Sequence, residues 1–374
     1  AGTYKINHDF SSEVTADFDK SKQREHDFSV VLDGNYHLFG REQQFNVGTS
    51  FNDSKDTLSF YREASIPLAD IRTFDGNVAR PDLPYIRDGF AKIRSFSIYG
   101  STQIKTTDRL AFILGGRGVH WTYKYSTDRN NFGYGNRKQQ VFIPYFGATY
   151  DFTDNLTAYA NYSTIFQPQD NEDIQHNPLD PEKGATYELG VKGAWLDDRL
   201  NASAAVFEVR KDNLAVKAGE HADGSDYYRA EDNTKGRGWE LTLSGEPLPD
   251  WRVDASYTRT KIKDSQGARL KTDAPLHLLK VFSSYDLNNQ WTIGGGINWQ
   301  SKIFSKSEID DPVGIQASTQ KSYATVDLMT QYRPTKNLRF TLNANNLFDQ
   351  KYKTIPDALS FAPRHVMATF RYEF

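Results

Sequence analysis

The sequence contains no cysteine and no long apolar run, and these two absences exclude whole classes of protein. Without cysteine there are no disulfides and no thiolate metal sites, which fits any compartment, including an oxidising one. No segment approaches the roughly 20 apolar residues that a membrane-spanning helix needs. A helical membrane protein is therefore excluded. The first residues, AGTYKINHDF, have neither a basic start nor an apolar core, so we expect a signal peptide to be absent or already removed.

An excess of charge of one sign and the usual catalytic motifs are also missing. The 45 basic and 48 acidic residues give a net charge of -3, which gives no reason to expect a nucleic acid partner. The eight histidines are scattered without ligand spacing, and no GxSxG, phosphate loop or nucleophile set occurs. We therefore predict that the protein is not an enzyme, that it has no resident cofactor and that it has no metal site.

Aromatic residues, by contrast, make up 14% of the chain, and they recur in strand-like segments of about ten to sixteen residues with hydrophobic alternation. The connections between these segments alternate between short turns, such as FGRE at 39–42 and LDDR at 196–199, and long polar stretches. Outer-membrane barrels have short periplasmic turns and longer extracellular loops. The long stretches are roughly 55–90, 126–138, 168–184, 216–228, 264–274, 305–321 and 349–363.

The alternation predicts an all-β protein, a transmembrane antiparallel β-barrel of the outer membrane with about sixteen strands in residues 1–374. Leu110, Phe112 and Leu114 alternate with a face that includes Arg117, and Trp291, Ile293 and Ile297 alternate with polar residues in the same way. Apolar residues outside and polar residues inside suit a lipid environment. Any single segment would also fit a half-buried strand of a soluble sandwich; the repetition over many segments favours the barrel.

The last residues of the chain follow the same pattern. Phe370, Tyr372 and Phe374 share one face of the final strand. Aromatic girdles lie at both membrane interfaces of such barrels. We therefore expect these three side chains to face lipid at the periplasmic rim, as the terminal signature of an outer-membrane protein in contact with the bilayer and its lipopolysaccharide.

Several stretches together resemble a known family. They are YHLFGREQQFNVGTSF (36–51), PYFGATYDFTDNLTAYANYSTIFQPQ (144–169), LDPEKGATYELGVKGAWLDDRLNASAAVFEVRKDNLA (179–215), RGWELTLSGEPLPDWRVDASYT (237–258), LNANNLFDQKY (342–352) and the PRH…FRYEF ending. In this order, along nearly the whole chain, they look like the barrel of TonB-dependent ferric-siderophore receptors, nearest to those for hydroxamate or mixed siderophores such as ferrichrome, coprogen, alcaligin or pyoverdine.

This resemblance implies a 22-stranded barrel with an N-terminal plug, a TonB box and import of a ferric siderophore driven by the TonB complex. Neither the plug nor the TonB box is recognisable here, and about sixteen strands replace twenty-two. We therefore expect the chain to be the C-terminal portion of the barrel of a larger receptor, reached by TonB through the missing N-terminal region. Two alternatives stay open: a passive porin-like channel, since sixteen strands is also a porin's number, and an outer-membrane barrel enzyme.

A candidate binding site lies in GGRGVHWTYKYS. The inward parity set by Arg117 continues to Trp121, Tyr123 and Tyr125 near the extracellular end. In the resembled family, vestibule aromatics hold the siderophore by stacking and hydrogen bonds, because they combine apolar area with a polar tip. We add two more aromatics to this set, Tyr145 on the neighbouring strand and Tyr134 in the intervening loop.

The alternative is that Trp121 and Tyr123 belong to the outer girdle after a bulge reverses the parity. Lower in the barrel, a set of charged residues has inward parity, and we assign it to the wall lining with plug contact as a hypothesis. The set comprises Glu188, Lys192, Arg252, Asp254, Arg339 and Arg371.

Overall fold

The structure, a computed structural model, describes residues 11–16, 18–62, 64–70, 73, 79, 81–126, 134–169, 171–221, 225–305, 319–355 and 362–374. Its regular structure in these ranges is made of β-strands. Within the same ranges no helix has the length and apolar character needed to cross a membrane.

The strands, in chain order, are β1 (Ser12–Ala16), β2 (Asp19–Leu38), β3 (Arg41–Tyr61), β4 (Ala64–Leu68), β5 (Tyr85–Lys105), β6 (Leu110–Ser126), β7 (Tyr134–Thr153), β8 (Leu156–Gln167), β9 (Glu182–Trp195), β10 (Leu200–Asp212), β11 (Leu214–Glu220), β12 (Asp226–Glu231), β13 (Thr234–Leu248), β14 (Trp251–Lys263), β15 (Arg269–Leu270), β16 (His277–Asp286), β17 (Trp291–Gln300), β18 (Ile303–Phe304), β19 (Thr319–Gln320), β20 (Tyr323–Thr335), β21 (Leu338–Asn345) and β22 (His365–Tyr372).

The chain divides into two units, which we describe separately. The first comprises Ala1–Tyr36, Gln44–Thr102 and Gly115–Ile143. Its main strand order is β2-β3-β5-β6-β7, and β1 forms a separate antiparallel pair with β4.

The second unit comprises His37–Gln43, Gln103–Leu114 and Pro144–Phe374. Its order is β7-β8-β9-β10-β13-β14-β16-β17-β20-β21-β22, with β15 paired to β14, and β11-β12 and β18-β19 as separate hairpins. Neighbours in this order pair antiparallel. Among the described residues, fifteen strands follow the main order of the chain and β15 is a sixteenth strand of the same sheet, which agrees with the predicted number of about sixteen.

Several segments expected to be loops contain strand. The stretch 55–90 includes the end of β3 and all of β4, the stretch 216–228 includes parts of the β11-β12 hairpin, and 264–274 includes β15. β4, β11, β12 and β15 have only five, seven, six and two residues, which is too short for hydrophobic alternation to reveal them. The short turns are tight: Phe39 and Gly40 both have positive φ, 56° and 69°, as a two-residue hairpin turn requires.

The two faces of the second unit differ in chemistry. On one face the register places Leu189 opposite Val206 and Val206 opposite Trp239, and Leu189 and Val206 are 59% and 55% exposed. On the other face Ser203 and Thr242 hydroxyls lie 2.6 Å apart and Asn298 Nδ2 donates to Asp327 Oδ2 at 3.0 Å. Exposed apolar residues on one face and a hydrogen-bonded polar face on the other are the pattern of a strand between lipid and water.

Candidate ligand-binding site

Three of the predicted site residues form a stack on β6. The Trp121 and Tyr123 rings are 5.7 Å apart at an interplanar angle of 24°, and the Tyr123 and Tyr125 rings are 5.0 Å apart at 21°. They lie at alternate positions, so they share one face of the strand. Trp121 is buried, with 7% of its surface exposed. We call these three residues the aromatic ladder.

Two glycines show that this face keeps its identity along β6 and β7. A Cβ on Gly135 would lie 2.0 Å from Tyr125 Cε1, and a Cβ on Gly116 would lie 2.5 Å from Phe142 Cζ. Gly135 therefore belongs to the same face as Tyr125, whereas Gly116 and the exposed Phe142 belong to the other. Because Gly116 and Tyr125 differ by an odd number of residues, both pairs follow one uninterrupted alternation. The alternation along β6 therefore does not reverse between Gly116 and Tyr125. Such a reversal would be needed if Trp121 and Tyr123 belonged to the outer aromatic girdle.

The other predicted site residues, Arg117, Tyr145 and Tyr134, are not part of this stack. Arg117 is exposed and lies on β6 at the same parity as the ladder. Tyr145 is exposed and lies in the second unit, where it is opposite Ser163 on β8. Tyr134 begins β7, but its side chain lies outside the described residues, as does the loop at 127–133. Of the predicted site residues whose side chains are described, the structure shows ring contacts among Trp121, Tyr123 and Tyr125.

Two further residues of this face, Gly135 and Arg137, were not predicted from the sequence. Gly135 provides the space that the Tyr125 ring occupies, because a strand glycine allows close approach of a neighbour. Arg137 lies two residues further along β7, on the same face, and is half-buried. Neither stands out in the sequence, since their relation to Tyr125 depends on the pairing of β6 with β7.

The polar face of the second unit carries a charged network near the short turns. Arg252 Nε donates to Glu246 Oε1 at 2.9 Å, and Arg333 Nη2 donates to Asp286 Oδ1 at 3.3 Å and to Thr292 at 2.9 Å. Arg333 Nε is buried without a hydrogen-bond partner among the described residues. Arg252, predicted to line the wall, thus belongs to an extended network.

The other predicted wall residues have partners on the same face. Asn161 donates to Glu188 at 3.4 Å, Lys192 lies opposite Thr157, and Ser244 donates to Asp254. Arg339 and Arg371 lie opposite each other on β21 and β22.

Two cavities of the second unit differ in their linings. One, of about 640 Å³, is an apolar groove whose lining includes Ile293, Gly295, Leu328 and Leu342; it lies on the apolar face and does not have the chemistry of a polar-ligand site. The other, of about 350 Å³, is lined by polar groups that include Lys280, Asn298 and Asp327 together with the stacked Tyr323 and Tyr352. This second recess suits a polar ligand or water.

The β11-β12 hairpin is ordered by ion pairs. Lys217 Nζ lies 2.8 Å from Glu220 Oε1 and 2.9 Å from Asp226 Oδ1. The hydrogen bonds to Glu220 and then Asp226 raise the pKa of the Lys217 ammonium above its usual value. Within the described ranges, no group of three or more His, Asp or Glu side chains is arranged to hold a metal ion.

An aromatic band on the apolar face reaches the chain end. Trp291 stacks on Tyr332 at 4.5 Å, Phe340 contacts Phe370 at 5.3 Å, and Tyr372 contacts Phe374 at 5.0 Å. The predicted terminal residues therefore lie beside other aromatics, as a girdle requires. Their role as an outer-membrane signature stays a prediction.

Comparison with known proteins identifies the family to which the chain belongs. The sequence profile described as "TonB dependent receptor-like, beta-barrel" matches residues 2–347. The chain belongs to the TonB-dependent receptor β-barrel family. This places it in the outer membrane and confirms the all-β barrel fold.

The similar members of the family are siderophore receptors. The chain is 34% identical to the ferric-pyoverdine 358 receptor of Pseudomonas putida, over 98% of this chain and 46% of that protein. It is 32% identical to the ferripyoverdine receptor of Pseudomonas aeruginosa, over 98% and 46%. The crystal structure of the P. aeruginosa ferripyoverdine receptor bound to ferripyoverdine matches with a TM-score of 0.84 and 30% identity, covering 98% of this chain and 50% of that one.

The chain thus spans about half the length of these relatives. The relatives are named as receptors, which agrees with the prediction of a receptor and favours it over the barrel-enzyme alternative. Their ligand is a ferric siderophore, a transported ligand and not a resident cofactor.

Proposed function

We propose that the protein is the barrel portion of a receptor that binds a ferric siderophore of hydroxamate or mixed type, of which pyoverdine is one, and imports it with energy from the TonB complex. The observation that carries this proposal is the aromatic ladder, three stacked rings on one face of a strand, in a chain 34% identical to a ferric-pyoverdine receptor.

The ladder suits a planar or polar-tipped ligand. Stacked tyrosines and tryptophan offer rigid apolar area and hydroxyl groups at little cost in conformational entropy. Arg117 and Arg137 lie on the same face, and guanidinium groups bind carboxylates and other oxygen anions in a bidentate way. Siderophores are rich in such oxygens. The proposed contacts are therefore stacking on Tyr123 and charge-assisted hydrogen bonds from the arginines, with Tyr145 and Tyr134 as further candidates.

Transport needs a moving part and an energy source, and no bond in the ligand has to break. The charged network of Arg252, Glu246, Asp286 and Arg333 faces the polar side of the sheet. Within the described part of the chain Arg333 Nε has no hydrogen-bond partner, although a buried polar group is normally hydrogen-bonded. The Arg333 side chain is 33% exposed, so its guanidinium group can contact another segment. We assign this contact to a plug that TonB acts on.

A porin-like channel is the second candidate, because a barrel wall with a polar face and sixteen strands suits passive diffusion equally well. Cells that express the full-length receptor containing this barrel can be supplied with radiolabelled ferric pyoverdine or ferrioxamine B, with and without a proton ionophore. The proposal predicts uptake that saturates and stops with the ionophore. Uptake that stays linear in ligand concentration and insensitive to the ionophore would establish the porin instead.

A further inference from the structure

Two histidines from different connections stack on each other in the second unit. The His176 and His221 rings lie 4.1 Å apart at an interplanar angle of 14°. His176 belongs to the connection between β8 and β9, and His221 directly follows β11 in the β11-β12 hairpin. The Tyr227 ring of β12 lies 5.2 Å from the His221 ring. We call His176 and His221 the histidine joint.

The histidine joint lies where hydrogen bonds hold the connection and the hairpin together. Tyr228 N donates to Glu172 O at 2.8 Å, from the hairpin to the connection. Gln169 Nε2 donates to Asn213 O at 2.8 Å, and Asn213 Nδ2 donates to Pro181 O at 3.2 Å. Backbone and amide groups do not change their charge with pH. Protonation therefore acts on this contact through the histidine joint.

The connection presents His176 on a tight turn. His176 N donates to Asp173 O at 3.0 Å, and Asp173 N donates to Asn177 O at 2.8 Å. His176 has a positive φ of 61°, a conformation in which histidine is one of the enriched side chains. The turn thus fixes the position from which the imidazole reaches the hairpin.

Two carboxylates face the His176 side of the histidine joint. His176 Nδ1 lies 3.5 Å from Glu172 Oε2. Burial raises the pKa of Asp173, but hydrogen bonds from Asn177 and Gln175 and the charge of His176 outweigh this effect and hold the pKa below its usual value. Asp173 therefore stays ionised in mildly acidic solution. A nearby opposite charge stabilises a protonated imidazole, so this side of the joint can accommodate one positive charge.

The hairpin side is less suited to a second charge. Lys217 engages both carboxylates that flank His221 there, Glu220 at 2.8 Å and Asp226 at 2.9 Å. His221 Nε2 is buried and has no hydrogen-bond partner within the described part of the chain, and burying a charge without a partner is costly. Two charged rings would also repel each other at a centroid distance of 4.1 Å.

We propose that the histidine joint is a proton-sensitive latch between the β8-β9 connection and the β11-β12 hairpin. The rings stack while at least one of them is neutral, and the two segments separate when both carry a proton. Histidine changes its charge between pH 5 and 8. The long connections of an outer-membrane barrel are extracellular, so these segments meet the pH of the medium. The latch is closed at neutral pH and opens in mildly acidic medium.

The test follows the Tyr228 amide, because its hydrogen bond to Glu172 O joins the two segments. Hydrogen/deuterium exchange of the full-length receptor in detergent is read by mass spectrometry at single-residue resolution and corrected for the intrinsic effect of pH on exchange. From about pH 7.5 to about pH 5.0, we expect the protection of Tyr228 to fall at least about tenfold. The Leu241 and Leu243 amides of β13 should change by less than about twofold. Equal protection of Tyr228 at both pH values overturns the proposal.

The variant His221→Phe separates charge from ring packing. It keeps a flat ring for the stack and removes the proton site, and the buried Nε2 without a partner favours an apolar ring edge at this place. Its Tyr228 protection should differ by less than about twofold between the two pH values. The matched control His26→Phe, at an exposed histidine of β2, should keep the full fall of the wild type. A tenfold fall in His221→Phe contradicts the latch.

A second variant covers the case in which the phenylalanine ring does not fit and Tyr228 loses protection at both pH values. His176→Asn suits the positive φ of this position and leaves a single imidazole at the joint. Its Tyr228 protection should be lower than in the wild type, because the stack is lost, and nearly equal at the two pH values. A fall of about tenfold in this variant also contradicts the proposal.

Glu172→Gln tests the direction of the effect. Without the carboxylate beside His176, a higher proton concentration is needed to charge both rings. The midpoint of the fall in Tyr228 protection should therefore move to lower pH, and an unchanged midpoint or a move to higher pH counts against the latch. No ferric siderophore is present in these measurements, so their outcome is independent of the proposed function.

Discussion

At the scale of single residues, Tyr123 is the centre of the candidate site, because it stacks on both Trp121 and Tyr125. We expect Tyr123→Ala to weaken ferric siderophore binding by about 1–2 kcal/mol, roughly 5- to 30-fold, since an aromatic contact and its neighbours' packing are lost. The matched control is Tyr285→Ala, an exposed tyrosine of the apolar face. Fluorescence titration with ferric pyoverdine measures both; equal affinities of the two variants would contradict the assignment.

Gly135 gives a second test at this scale, because its missing side chain makes room for Tyr125. Gly135→Ala would place a Cβ 2.0 Å from Tyr125 Cε1, so the ring has to move and the ladder should be distorted. Gly118→Ala on β6 is the control, as its Cβ would meet no heavy atom closer than 3.9 Å. We expect Gly135→Ala alone to lower siderophore affinity, by about fivefold or more.

A double-mutant cycle with Tyr125→Ala separates this effect from a general loss of stability. If the glycine acts through the ring, the second substitution removes most of the penalty of the first. Additive losses would show that Gly135 acts independently of Tyr125.

Some residues of the candidate site could be predicted from the sequence and others could not. Alternation alone put Trp121, Tyr123 and Tyr125 on one face, because strand parity is local. Arg137 and Gly135 were missed since their place beside the ladder depends on pairing between strands, which no local pattern contains. Tyr145 has the predicted inward parity, but parity gives no distance to the ladder.

At the scale of the strands, the central feature is that each one carries a lipid-facing and a water-facing side. Leu241 and Thr242 are neighbours on β13 with opposite orientations: Leu241 is 47% exposed on the apolar face, and Thr242 hydrogen-bonds Ser203 on the polar face. We expect Leu241→Lys to lower the free energy of unfolding in lipid by about 2–4 kcal/mol. Thr242→Lys should cost only about 1 kcal/mol, mainly through its lost hydrogen bond. Urea titration of the receptor refolded in lipid vesicles measures both, and equal costs would contradict the assigned faces.

Hydrophobic alternation predicts the strands that face lipid better than it predicts the strands of the long connections. The alternation from Leu110 through Arg117 to Tyr125 was predicted to form a strand, and β6 runs from Leu110 to Ser126. The stretch 216–228 was predicted as a loop because it is mostly polar, but it contains much of the β11-β12 hairpin, in which Lys217 forms ion pairs with Glu220 and Asp226.

At the scale of the whole molecule, binding and transport should be separable. The network around Arg333 lies on the polar face, and we assign it to contact with a plug. Arg333→Gln should therefore slow siderophore uptake several-fold while leaving affinity within about twofold. Lys336→Gln, an exposed residue of the β20-β21 turn, is the control. Unchanged uptake in Arg333→Gln would show that the network only stabilises the wall, where it also bonds Asp286 and Thr292.

The most direct test of the central claim is to locate the bound metal relative to the aromatic ladder. The receptor can be labelled with fluorotryptophan and its ¹⁹F spectrum recorded with a siderophore loaded with paramagnetic Fe³⁺ or with diamagnetic Ga³⁺. We predict that Fe³⁺, but not Ga³⁺, broadens the Trp121 resonance strongly, while Trp291 in the aromatic band of the apolar face stays sharp. A Trp121 resonance that stays sharp at saturating ferric siderophore would contradict the account.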